Sequence, residues 1–421
     1  MNIKQYEMEI AKTRDARMKW WRDARFGLFV HYGIYSVYER GEWIKLREGI
    51  SDEEYLDKAR NEFTYKSGNA EKWVKLAKKA GMKYVVLTTM HHDGYSLWDS
   101  KINDFNSVKN GPGIDIVREF VDACRKHNMR IGLYFSLWSW KHPDGASCEY
   151  DLEARKRFLA YLNEQVRELM TNYGKIDILW YDVANPMQNA DEWGSVERNK
   201  MVRDLQPDII INNRSKLSED FGTPEDKVVA GDYDWESCMR FTNICFGGLN
   251  QEYAAPYRQN ANQIVKLLCQ CQNGCGNLLY NISPDKYGNI SEFETAELEK
   301  VGQWISVHKN VVYGPNTPAF VGTNGICSAT RKKNHIFMWN WCWGGEIMRI
   351  NGYNTSPVKV TCVTTGEDVD FEFINGVIHL KNLPKESPDK LLRIAVYDVD
   401  FGDTKPIFDL IPVNAREFAG I

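Results

Sequence analysis

The sequence predicts an α/β fold: a (β/α)8-like, TIM-type barrel over residues 1–314, followed by a C-terminal antiparallel β-sandwich over residues 315–421. Three observations predict it. Short apolar runs of buried-strand length alternate with helical patterns over about 300 residues, the mark of parallel βαβ units. No glycine-rich dinucleotide loop follows the first such run, which counts against a doubly wound open sheet. Beyond about residue 315 helical periodicity stops, and short strand-like runs separated by turn residues take over.

The barrel strands are read from runs rich in β-branched and aromatic residues at 26–34, 84–90, 130–137, 176–181, 208–212 and 277–282. Two weaker runs, 228–233 and 242–246, complete eight. Between them lie helical patterns. Residues 70–80 are amphipathic with a stop at Gly81, and 115–127 start on an acid and end on bases, as the helix dipole prefers. Further helices are expected at 152–173, 192–205, 261–272 and 292–311. The sandwich strands are placed at 326–329, 336–341, 347–350, 358–362, 369–373, 377–380 and 392–396, with turns at Asn324-Gly325 and Asn375-Gly376.

Composition narrows the function. Lys plus Arg is 53 against 57 for Asp plus Glu, a net charge of −4, so there is no basic excess for nucleic acid or polyphosphate. No stretch of about 18 apolar residues occurs, so no membrane partner is expected. The N-terminus lacks the basic start and apolar core of a signal peptide. The expectation is a cytoplasmic protein, or a secreted one if a leader has been removed. The ten cysteines are scattered, and only Cys271 and Cys275 approach a ligand pair, so they are read as reduced, mostly buried thiols. Aromatics are abundant, with 14 Trp, 21 Tyr and 18 Phe. Rings of this kind stack on sugar C–H faces, although composition by itself favours a large aromatic core.

In a (β/α)8 barrel the active site lies at the C-terminal strand ends. Here those ends carry His31-Tyr32-Gly33, His91-His92-Asp93-Gly94-Tyr95, Tyr134-Phe135-Ser136, Trp180-Tyr181-Asp182 and Asn212-Asn213-Arg214. Five polar ends beside aromatics on one rim form a stronger signal than any one of them. Asp182 at a buried strand mouth is either a reactive carboxylate or one that satisfies loop donors. His91 and His92 could ligate a metal, but strand one offers no His-x-His pair to complete such a site. They are read, with His31, as partners for sugar hydroxyls, and neither metal nor cofactor is expected. A glycosidase needs two carboxyl groups. The second is sought in Glu225, otherwise a first-turn helix acid after Thr223-Pro224, or in Glu236, otherwise a surface acid beside Trp235.

Specific motifs then converge. Phe26-Gly-Leu-Phe-Val-His-Tyr-Gly33, Gly41-Glu-Trp43, His91-His-Asp-Gly-Tyr-Ser-Leu-Trp98, Leu179-Trp-Tyr-Asp182, Asn212-Asn-Arg214, Thr223-Pro-Glu225, Trp235-Glu236 and Gly276-Asn-Leu-Leu-Tyr-Asn281 with Pro284 occur in this order. With them the chain resembles the glycoside hydrolase family 29 α-L-fucosidases over essentially its whole length. The resemblance implies a retaining exo-α-L-fucosidase acting on fucosylated oligosaccharides or glycoconjugates, with self-association left open. It implies that Asp182 is the nucleophile forming a covalent fucosyl-enzyme. It places His31, Glu42, Trp43, His91, His92, Tyr134, Trp180 and Arg214 around the fucose ring, and Phe246 near its C5 methyl. Glu225 is preferred as acid/base, with Glu236 the alternative and Glu42 the remainder. The chain departs from the pattern at Val183, where glycine or tryptophan is frequent, at Asn213, where aspartate often stands, and at Cys275, where glycine does. Other readings are a weak or inactive fucose-binding protein on this scaffold, a glycosidase for a related L-galacto-configured sugar, and a metal-dependent hydrolase using His91 and His92.

Overall fold

The structure, a computed structural model, describes residues 1–231, 233–317 and 327–406. It divides into two compact units: Met1–Asn260 with Asn277–Glu299, and Ala261–Gly276 with Lys300–Ile421.

In the first unit seven parallel strands form one curled sheet: β1 (Phe26–Val30), β2 (Tyr84–Met90), β3 (Arg130–Ser136), β4 (Ile178–Asp182), β5 (Ile210–Ile211), β6 (Glu236–Met239) and β7 (Asn277–Ile282). Their order is β5-β4-β3-β2-β1-β7-β6. The central strands are buried on both faces, which is why they read as unbroken apolar runs. The helices at Asn69–Lys79, Ile116–Lys126, Leu152–Asn172 and Ser195–Leu205 lie where the periodicity places them. Asp115 caps one, accepting from Arg118 N–H at 2.8 Å. Among the described residues no helix is long and apolar enough to cross a membrane.

The two weaker runs are not strands; Glu236–Met239, expected to be loop, is one instead. Val229 is 51% exposed, so the run at 228–233, of which residue 232 lies outside the described residues, has no buried face. In the run at 242–246 the Phe246 amide donates to Glu42 Oε2 at 3.0 Å and so is not available to a ladder.

What closes the barrel is an irregular segment. Asn212 bridges Phe221, Gly222 bridges Trp235, and Glu225 bridges Cys238, all in parallel sense. Residues 221–225 thus run between β5 and β6 and complete a ring of eight staves in chain order. Pro224 has no N–H to give, which keeps this stave from becoming a regular strand. β5 is short for a related reason. The Asn212 side-chain amide takes the next rung, accepting from Tyr181 N–H at 2.8 Å and donating to Tyr181 C=O at 2.8 Å.

Two longer helices went unanticipated: Asp52–Asn61, and Ile3–Ala24, which is started by an Asn2/Gln5 capping box. The Ile3–Ala24 helix buries an apolar stripe of Tyr6, Ile10, Met18, Trp21 and Ala24, and charge adds to its docking. Arg17 pairs with buried Asp220 at 2.6 Å, and Arg14 and Arg22 grip Asp234 at 2.6 and 2.7 Å. Asp220 also accepts from Arg203 at 2.9 Å and from Ile211 N–H at 2.9 Å. The helix therefore clamps the segment that carries the eighth stave. Asp220→Ala strips one partner from two buried guanidiniums and is expected to lose about 3–5 kcal/mol of stability. Denaturant unfolding checks this; a loss under about 1 kcal/mol would contradict it.

The second unit holds the helix Ala261–Asn273 and two antiparallel sheets. Three strands, Met348–Asn351, Val377–Leu380 and Phe371–Ile374, form one. Glu367–Asp368, Lys359–Cys362, Ala395–Asp400, His335–Asn340 and Cys327–Lys332 form the other. Ile336, Met338, Ile350, Val360, Ile378, Leu380 and Val399 fill the core between them. Asn375 and Gly376 both have positive φ, 50° and 79°, the two-residue hairpin turn their identities suggest. Residue 326 and the turn at Asn324-Gly325 lie outside the described residues. The expected helix at 292–311 breaks at His308 into Glu292–Val307 and Lys309–Val312.

Candidate active site

Asp182 ends β4 and is 8% exposed. Arg214 Nη1 donates to its Oδ1 at 2.5 Å, Tyr134 OH to its Oδ2 at 2.7 Å, and Val183 N–H to Oδ1 at 2.9 Å. Burial pushes the carboxyl pKa up, but the Arg214 charge and these hydrogen bonds prevail and hold it below its ordinary value. Val183 has φ +37°, unusual for a β-branched residue, and explains why glycine suits this position.

Arg214 follows β5 in a short 3-10 turn, Asn213–Ser215. Its Nη2 donates to Glu225 Oε2 at 2.8 Å and its Nε to Thr223 Oγ1 at 2.9 Å. One guanidinium thus grips both carboxylates, whose bonded oxygens lie within about 8 Å by the reach of a single fork.

These groups line a cavity of about 540 Å³, part of it open solvent. His31, Glu42, Trp43, His91, His92, Tyr134, Trp180 and Phe246 line it too, so every sequence-predicted site residue reaches it except Glu236. Phe29, Val183 and Cys238 were missed. Phe29 stands two residues before His31 on β1, and period two alone could have found it. Cys238 was hidden by the unread strand β6.

The hydrogen-bond network fixes two imidazoles. Ser136 Oγ spends its proton on Trp138 C=O at 2.6 Å, so His92 Nδ1–H must donate to it at 2.7 Å. Asn281 Nδ2 donates to Phe246 C=O at 2.6 Å, so its Oδ1 accepts from His31 Nδ1–H at 2.6 Å. Both rings are left with bare Nε2 acceptors. His91 Nδ1 is buried without a partner, and its ring lies parallel to Tyr134 at 5.9 Å. Burial lowers His31 to about 3 and His92 to about 4, and holds His91 well below its ordinary value. All three are neutral at pH 7, so the 3.7 Å approach of His92 Nε2 to Asp182 is not an ion pair. Stability from these depressed pKa values is complete above about 6.5 and is lost as pH falls toward 4 and 3. The imidazole proton shifts of His31 and His92 are expected to stay flat from pH 5.5 to 8 in an NMR titration. A midpoint near 6.5 for either would contradict the lowering of these pKa values by burial.

Glu42 Oε2 accepts from the amides of Phe246 and Gly247 at 3.0 and 3.1 Å, and burial pushes its pKa up. Trp43 packs edge-on to His92 at 5.0 Å. Phe246 lies beside His31 at 4.9 Å. Glu236, expected in a loop that could swing over the mouth, sits instead at the start of β6, 1% exposed. Its carboxyl is bonded to Tyr84 OH and accepts from Trp180 Nε1–H at 3.2 Å. Burial pushes it up to about 7.

His91, His92 and Asp182 offer ligand atoms within 4.8 Å of one another. A cation there would have to compete with Arg214 at 2.5 Å from Asp182 Oδ1 and with the Tyr134 hydroxyl on Oδ2. The donor set suits an anionic carboxylate held by hydrogen bonds better than a metal ligand. A second cavity of about 520 Å³, including open solvent, shares Asp182, Val183 and Arg214 and adds Asn185, Asn213 and Lys216.

The family model described as α-L-fucosidase matches residues 1–310. The chain belongs to the α-L-fucosidase family of glycoside hydrolases. The α-L-fucosidase of Dictyostelium discoideum is 31% identical over 337 residues, covering 70% of this chain and 71% of its own length. The human tissue α-L-fucosidase is 29% identical over 381 residues, covering 81% of this chain and 80% of its own. Among solved structures, α-L-fucosidase isoenzyme 1 from Paenibacillus thiaminolyticus superposes with a TM-score of 0.84 at 28% identity, covering 93% of this chain and 100% of that one.

Proposed function

We propose that this chain is a retaining exo-α-L-fucosidase that removes terminal α-L-fucosyl residues from oligosaccharides or glycoconjugates. The observation that carries the reading is the single Arg214 guanidinium holding Asp182 and Glu225 together on one cavity wall. A retaining glycosidase needs its carboxyls roughly 5–5.5 Å apart, with no room for a water between nucleophile and anomeric carbon.

Asp182, kept anionic, attacks C1 of fucose while Glu225 protonates the leaving glycosidic oxygen. The C1–O bond to the aglycone breaks and the C1–Oδ bond to Asp182 forms. Glu225, now a carboxylate, takes a proton from water as that water displaces Asp182 from C1. Arg214 offsets the single negative charge, which sits on Asp182 before attack and on Glu225 in the fucosyl-enzyme. The bare Nε2 atoms of His31 and His92 and the second oxygen of Glu42 accept sugar hydroxyls, and a sugar lacking them leaves buried acceptors unpaired. Phe246 and Phe29 offer an apolar wall for the C5 methyl. The cavity beside Asn213 and Lys216 receives the leaving group.

Nitrophenyl α-L-fucoside tests this. Nitrophenol should be released at an undiminished rate after exhaustive chelation, and NMR should show α-fucose as the first-formed anomer. Zero turnover with retained fucose binding would favour the sugar-binding protein, and β-fucose appearing first would overturn retention.

A further inference from the structure

We propose that Glu236 is a positioning residue that acts on Asp182 through Trp180; the inference rests on Asp182 being the nucleophile. Both side-chain donors to Asp182 rest on the Trp180 ring. Tyr134 stacks on it at 5.7 Å and 19°, and the Arg214 guanidinium lies over it at 4.6 Å. Trp180 and Asp182 are two residues apart on β4 and share a face. Tyr134 lies directly opposite Trp180 in the β3–β4 register. A tilt of this one indole would therefore move both groups that aim the carboxylate.

The indole has a single polar handle. Its N–H donates to Glu236 Oε1 at 3.2 Å, and the other carboxyl oxygen is bonded to Tyr84 OH on β2. Asn277 Nδ2 approaches that hydroxyl at 3.4 Å from β7. Glu236 thus ties Trp180 to strands across the barrel. The groups bonded to this carboxyl are thus a phenol and an indole. Burying a carboxyl among such partners is unfavourable compared with an apolar side chain of similar size. What the carboxyl supplies that an apolar residue cannot is an acceptor for the Trp180 N–H, which would otherwise be a buried unpaired donor. The group lines no part of the cavity and cannot touch the glycosidic oxygen, so its effect passes through the indole.

Three variants separate this from acid/base chemistry and from simple loss of packing. Glu236→Leu should lower kcat about 10–100-fold with KM nearly unchanged, equally on nitrophenyl and disaccharide fucosides, and azide should not restore it. Glu236→Gln keeps the acceptor and should recover to within about threefold of wild type. Trp180→Phe removes the N–H but keeps a ring; in that background Glu236→Leu should cost less than about threefold more. The Trp180 indole N–H should also exchange at least tenfold faster with solvent in Glu236→Leu than in wild type, a readout independent of turnover. Equal damage from Leu and Gln, azide rescue, an additive double variant, or unchanged indole exchange would each overturn the proposal. Absence of turnover in wild type would overturn the functional reading instead, while indole exchange still decides the coupling.

Discussion

Asp182→Ala is expected to lose activity on the order of 10⁴-fold or more, with part of the rate restored by added azide. The loss follows from the proposed chemistry, in which Asp182, held anionic by Arg214 and Tyr134, forms the bond to C1. Removing it also leaves Arg214, a buried guanidinium, with Glu225 as its remaining carboxylate partner. The variant should accordingly be less stable, so its fold must be checked by circular dichroism. Azide fits because the Ala side chain vacates the carboxylate's volume beside Arg214 and leaves an anion-sized gap. Attack from that face yields β-fucosyl azide from an α-fucoside, and NMR identifies the product. A near-normal rate, or restoration without a β-azide, would remove Asp182 from the role given to it.

The second large effect belongs to Glu225. Glu225→Gln should lose about 10²–10⁴-fold on a disaccharide whose leaving alkoxide needs a proton. On dinitrophenyl fucoside, whose leaving group departs unaided, the first step should be nearly intact. The expected signature is an aryl substrate with a pre-steady-state burst and slow turnover that azide accelerates, because the variant also lacks the base for water. Glu236→Gln should show none of this. Losses of equal size on both substrates would leave Glu225 as a partner of Arg214 and nothing more.

The Asp182 strand was legible because parallel strands buried on both faces write themselves as apolar runs, and Asp182 stands out where such a run meets polar residues. The rim residues were legible for the same reason, one strand end at a time. The stave that carries Glu225 was not. Its pairing is reduced by Pro224, and neighbouring β5 is cut short because the Asn212 side chain takes the next rung to Tyr181, which no periodicity records. Glu236 read as an alternative acid/base on a loop, or else a surface acid, because Asp234-Trp-Glu-Ser has no apolar run around it; its burial comes from Tyr84 and Trp180, 152 and 56 residues away in sequence. The first helix was hidden because Arg14, Arg17 and Arg22 are interleaved with its apolar stripe of Tyr6, Ile10, Met18 and Trp21, although Asn2 and Gln5 at capping-box spacing were there to be read.

The uneven closure of the ring has a consequence for how the enzyme wears out. Asp182 is bolted to a continuous ladder, Gly132↔Ile178 through Ser136↔Asp182, whereas Glu225 hangs on a seam of isolated rungs. One partner of the pair is stiff and the other compliant. Warming or mild denaturant should slacken the seam first, so inactivation precedes melting, and amide hydrogens of residues 221–226 should exchange before those of β3 and β4.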